Sequence, residues 1–118
     1  MDAYPWEQRE CELERAGVIR FKIFDLAERI QKRVLGLIER QAADFEAEDA
    51  FLRACKETIL DLRDEIDSFL PTLDDEDPVG HYLRGVMFTH QEELVKMIQG
   101  TVTIRRAVEK LPPLGLDN

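Results

Sequence analysis

Between Val34 and Leu73 the apolar positions recur at alternating steps of four and three. They are Val34, Ile38, Gln41, Phe45, Glu48, Leu52, Cys55, Ile59, Leu62, Ile66, Phe69 and Leu73, and only Gln41 and Glu48 are polar. With 3.6 residues per turn such a seam lies on one stripe of an α-helix, so the pattern predicts long amphipathic helices packed lengthwise.

Upstream, Ile19, Ile23, Leu26, Ala27, Ile30, Val34, Leu37 and Ile38 fall on one broad helical face. Pro5 suits a first helical turn, and no further proline occurs before Pro71. A first helix is expected over about 6–42. The stretch Val18–Ile23 also alternates like a short strand, but one strand has nothing to pair with and the longer helical pattern overrides it. The second helix is expected over 44–70. Pro71 disfavours helical backbone at Leu70, and an acidic connection occupies 71–78. Asp77-Pro78 reads as an N-cap followed by proline at the first helical position. A third helix, about 78–111, places Leu83, Met87, His90, Leu94, Met97, Thr101, Ile104, Val108 and Leu111 on one stripe, and Pro112-Pro113 stops it. Gly85 and Gly100 weaken this helix, and Gly100 is a candidate kink.

The junction 41–49 has two solutions. It contains no Gly or Pro and the seam keeps its phase across it, which suits one continuous helix of roughly 100 Å. Such a helix would need a partner chain, so a turn capped by Asp44 or Asp49 is the favoured expectation. A turn would let Gln41 and Glu48 both avoid the core, and would tolerate proline at Ala43. The fold class is therefore all-α: a single domain (1–118) of three amphipathic helices, up-down-up, in a body about 50 Å long. Phe21, Phe24 and Leu35, with Gly17, form a second stripe on the first helix, away from its main face. A second copy of the chain is a natural cover for them, so a homodimer is expected; the alternative is that they edge the three-helix core.

Composition narrows the function classes. The 118 residues are 35% charged and 44% hydrophobic, with a net charge of −9, as in a helical protein able to bury its own core. No stretch reaches the roughly 18 apolar residues of a membrane span. Residues 1–7 lack the basic and apolar regions of a signal peptide. Cys11 and Cys55 show neither zinc-ligand nor disulfide-framework spacing, so a reducing cytoplasm is the expected compartment. Residues 44–77 hold thirteen acids against three bases and carry the whole charge excess. That surface would repel nucleic acid and attract a basic protein partner. Its exposed members are expected to include Glu57, Asp61, Asp64 and Glu65. The seam places Cys55 in the core, whereas Cys11 lies off it.

No metal or cofactor is expected. No Glu-x-x-His pair of the di-iron type occurs, and Glu92-Glu93 is followed by Lys96 where the all-α nucleotide pyrophosphohydrolases carry a third acid. His81-Tyr82-Leu83-Arg84-Gly85 resembles the H-x-L-K-G core of histidine phosphotransfer domains. That resemblance implies His81 as phosphoryl acceptor, with Arg84 screening the phosphoryl oxygens. Val86-Met87-Phe88 stand where that family has small residues. Arg84 and His90 also resemble the R-x(4–6)-H signature of HEPN-type ribonucleases, which implies a dimeric all-α nuclease using that pair; Gly85 replaces the polar residue usual after the arginine. The leading expectation is neither of these. It is a non-enzymatic interaction module (adaptor, chaperone-like or regulatory), with Phe21, Phe24, Leu35 and the acids of the middle helix as its surface.

Overall fold

The computed structural model describes residues 4–115, so Met1–Ala3 of the signal-peptide reading lie outside them. Three α-helices account for most of the described chain: α1 (Tyr4–Arg40), α2 (Phe45–Phe69) and α3 (Pro78–Glu109). A single 3-10 turn, Leu70–Thr72, follows α2. Among the described residues the only extended pairing is an isolated bridge between Ala43 and Pro113. The Cα envelope measures 74 × 18 × 17 Å, longer than the expected 50 Å. At 1.5 Å per residue α1 alone is about 55 Å, already more than the expected length.

The end of α1 and the starts of α2 and α3 each have a local cause. Gln41 takes a left-handed backbone (φ 53°) and ends α1 at Arg40, two residues short of expectation. Asp44, not Asp49, caps α2, its carboxylate accepting from the Ala47 N–H at 3.4 Å. The junction is thus a turn of 41–44. Asp77 caps α3 by accepting from the N–H groups of Val79 and Gly80, each at 3.1 Å. Gly80 is buried there so closely against the connection that a Cβ would lie 2.1 Å from the Asp74 carbonyl oxygen. α3 then runs unbroken through Gly85 and Gly100 as one helix.

Polar contacts fix how the helices lie on one another. Between α1 and α2, Arg15 donates to Ser68 (3.1 Å), Lys22 to Glu65 (3.2 Å) and Arg33 to Glu48 (2.7 Å). Between α2 and α3, Asp49 accepts from Arg105 (2.6 Å) and Asp67 from Gln91 (2.8 Å). Arg9 near the start of α1 pairs with Asp77, the cap of α3.

The apolar stripes meet in one main core. Ile19, Ile23 and Leu26 of α1 pack with Ile59, Leu62, Ile66 and Phe69 of α2 and with Leu83, Met87 and Leu94 of α3. Cys55 is buried in it and Cys11 is exposed. Burial pushes the Cys55 thiol above its ordinary range. A smaller cluster (Leu37, Ala43, Val108) closes the other end. There the chain after α3 is stitched back to the turn: Ala43 donates to the Pro112 carbonyl (2.9 Å) and accepts from the Leu114 N–H (3.2 Å). A proline at Ala43 would delete the first bond, so a destabilised variant would not argue against a turn.

The seam requires two corrections. Its members from Glu48 to Leu73 are all buried, but Ile38, Gln41 and Phe45 are exposed and Val34 is only partly covered. Glu48 does not escape the core either. At 3% exposure it is among the most buried polar residues described, compensated by Arg33, whose guanidinium is pushed above its ordinary value chiefly by that hydrogen bond. On α1, Ala27 and Ile38 also lie outside the buried face to which their spacing assigned them.

Candidate functional site

The largest unexplained feature is the outer side of α1. Phe21, Phe24 and Leu35 are exposed, Phe21 by 69%, and Trp6, Leu13 and Ile38 join them. The buried stripe runs through Ala16, Ile19, Ile23, Leu26 and Ile30, the last of these partly covered. Each outer position, 21, 24, 28, 31 and 35, stands five residues beyond an inner one. Five steps of 100° leave the outer stripe about 140° round the helix, too far for α2 or α3 to reach. Within it Arg20 lies over the Phe24 ring, 5.1 Å from the ring centroid, covering one aromatic face without burying it. Apolar side chains concentrated on one helix face mark a contact surface more strongly than the same number scattered singly.

Toward its C-terminal end this face opens onto an apolar hollow of ≈ 300 Å³ between α1 and α3, lined by residues that include Val34, Leu37, Ile38, Ile104 and Leu111. Ile38 belongs to both the stripe and the rim, so the two form one surface.

The acidic residues of α2 divide into two groups. Glu57, Asp61 and Asp64 are exposed, whereas Glu65 is half-buried and joined to Lys22. Asp49 is likewise engaged, bonding Arg105 and Arg53, and its carboxyl sits below the ordinary range chiefly because of Arg105. Glu65 therefore bridges α1 and α2, and the exposed acids include Glu57, Asp61 and Asp64 together with the connection at Asp74–Glu76. Among the described residues, no three His, Cys, Asp or Glu side chains are grouped to hold a metal ion. No helix of the described chain is long and apolar enough to cross a membrane.

The structure separates the two histidines. His81 is exposed in the first turn of α3; its Nδ1 lies 2.9 Å from Asp75, and the same carboxylate oxygen is 3.6 Å from Arg84 Nε. These three residues come together. His90 is buried on the inner stripe, with Nδ1 2.7 Å from Glu93, and its buried Nε2 has no hydrogen-bond partner among the described residues. Donation from Nδ1 to Glu93 leaves Nε2 as a bare acceptor, a cheaper arrangement than an unpaired buried N–H. Arg84 and His90 are six residues apart and so about 120° apart round the helix. Arg84 donates to the Leu70 carbonyl at 3.1 Å instead.

No family model matches the chain, and no curated protein or solved structure matches it either.

Several residues of this surface escaped the sequence reading. Trp6 and Leu13 carry no strong signal individually, but Ile38 does: it stands in step with Phe21, Phe24 and Leu35 as well as with the α2 seam. The Arg33–Glu48 bond and the close approach at Gly80 have no local sequence signature, because each depends on how two segments pack.

Proposed function

We propose that this chain is a non-enzymatic helical interaction module, an up-down-up bundle that homodimerises through the outer face of α1 and can receive a basic protein through the acids of α2. The observation that carries the reading is the exposed apolar stripe of α1. Six large apolar side chains on one outward face cost solubility unless something covers them. The opposed residue numbers in the α1–α2 and α2–α3 contacts support the up-down-up order. Glu57, Asp61 and Asp64 give long-range attraction for a basic surface and repulsion of nucleic acid. Two free cysteines suit a reducing cytoplasm. No cofactor or metal enters this reading.

Sedimentation velocity across a range of protein concentrations tests it, with phosphoryl-acceptance and RNA-cleavage assays run alongside. The expected result is concentration-dependent association and neither activity. RNA cleavage abolished by Arg84→Ala or His90→Ala with the fold retained would overturn the reading.

A second reading has one observation in its favour. Asp75 holds the Nδ1 side of His81 beside Arg84, an exposed imidazole with an orienting carboxylate and a cation close by, as phosphoryl acceptance requires. Incubation with a phosphorylated receiver domain decides it: acid-labile phosphate on the chain, lost in His81→Ala, would replace the interaction-module reading.

A further inference from the structure

We propose that the occupant of the outer α1 face is the same face of a second copy, packed antiparallel so that Phe21 meets Ile38 and Phe24 meets Leu35 of the other chain. This rests on the dimer reading above and specifies it. The outer stripe is a strict four-three seam of its own: Gly17, Phe21, Phe24, Glu28, Gln31, Leu35 and Ile38, every one exposed. Apolar pairs occupy its two ends and a polar pair its middle.

That arrangement discriminates between the two ways of pairing a helix with itself. In a parallel in-register pair each residue meets its own copy, so Glu28 would face Glu28 at the seam, a like-charge contact with water excluded. In an antiparallel pair whose facing residue numbers add to 59, every apolar member from Phe21 to Ile38 meets an apolar one. Glu28 then meets Gln31 of the other chain, whose amide can donate to the carboxylate. The flanks agree. Antiparallel helices bring the same flank of each to the same side of the interface, which sets Asp25 near Lys32 of the other chain, with the symmetric contact repeated. In the single chain these residues already make i,i+4 pairs, Asp25 with Arg29 at 3.0 Å and Lys32 with Glu28 at 3.7 Å. They thus have the sign and position to extend into a four-charge ladder. The hollow beside Ile38 supplies a further fit: the same register carries the Phe21 ring of the second copy to its rim.

The test uses the full chain with Cys11 replaced by serine, leaving only the buried Cys55. Phe24→Cys and Leu35→Cys are made separately in that background and oxidised alone and mixed. The antiparallel register predicts a disulfide-linked dimer only in the mixture, because positions 24 and 24 of the two chains would lie about 16 Å apart along the axis. Cross-linking of each variant alone would show a parallel pair and overturn the proposal, and so would a mixture that fails to link. Sedimentation of otherwise native Phe24→Asp provides the second measurement: its dimer dissociation constant should rise at least tenfold with the helical content unchanged. A wild-type chain that stays monomeric at 100-micromolar order would remove the dimer itself. A dimer untouched by Phe24→Asp would retain the dimer and remove this interface. Stoichiometric binding of a basic peptide or an apolar ligand to the α1 face of a monomeric chain would assign the surface to another occupant and also overturn the proposal.

Discussion

The two stripes of α1 have nearly the same chemistry and opposite surroundings. Ile19, Ile23 and Leu26 are 2% exposed or less, while Phe21 and Ile38, on the same helix, are more than 60% exposed. The difference is one of supply. Two neighbouring helices can cover one broad face of a third, and α2 and α3 spend their own apolar stripes doing so. Residues about 140° away are left for whatever lies outside the chain. Burial therefore follows from partner geometry, and hydrophobicity alone does not sort an inner from an outer position.

The largest expected effect breaks this comparison directly. Leu26→Ala removes a fully buried side chain from the main core and should cost about 3 kcal/mol in urea unfolding. Phe24→Ala, two positions away and larger in volume lost, should cost less than about 0.5 kcal/mol at concentrations where the chain is monomeric. Equal losses would mean that the outer stripe is part of the folding core.

How much of this was legible in the sequence depends on which helix supplied the signal. From Glu48 to Leu73 the seam is buried throughout, because α1 and α3 both pack against α2 and its apolar residues fall on one inner face. The same seam fails upstream. Ile38 keeps step with α2 by number, yet Gln41 turns the chain, and Ile38 emerges on the outer face of α1. A four-three pattern records only spacing, so it passes unchanged through a non-glycine turn whose length happens to preserve phase. Phe21, Phe24 and Leu35 could be set apart from the main face in sequence, since their displacement is a matter of angle. Their exposure could not, because it depends on the absence of a third neighbour. The grouping of His81, Asp75 and Arg84 was legible only as a motif; the carboxylate that joins them comes from the connection before α3.

The buried ion pair gives an effect of comparable size and tests a mixed position. Arg33 reaches from α1, half-covered, to a Glu48 carboxylate that is almost wholly inside. Arg33→Ala should cost about 3 kcal/mol, because it strands that charge. Glu48→Gln combined with Arg33→Ala should recover at least half of the loss, measured by the same unfolding curves. If the single variant costs no more than an exposed truncation, Glu48 finds water at this edge, and the inner face of α1 ends at Ile30 rather than at Leu37.

The smallest effect concerns the residue that separates the two faces. Gln41 holds a positive φ at the end of α1, its N–H bonded to the Leu37 carbonyl at 2.8 Å. A residue with a Cβ pays roughly 1 kcal/mol for this left-handed backbone, which glycine adopts without the steric penalty. Gln41 is exposed, so replacing it removes no packed side chain. Gln41→Gly should therefore stabilise the fold by up to about 1 kcal/mol, less whatever is lost to the freer unfolded chain. Thermal unfolding of the variant, read beside Gln41→Ala, isolates the backbone contribution, since alanine keeps the Cβ and should gain nothing. If glycine destabilises at least as much as alanine, the chain does not turn in this conformation, and the continuous helix joining Ile38 to the α2 seam becomes the better account of both stripes.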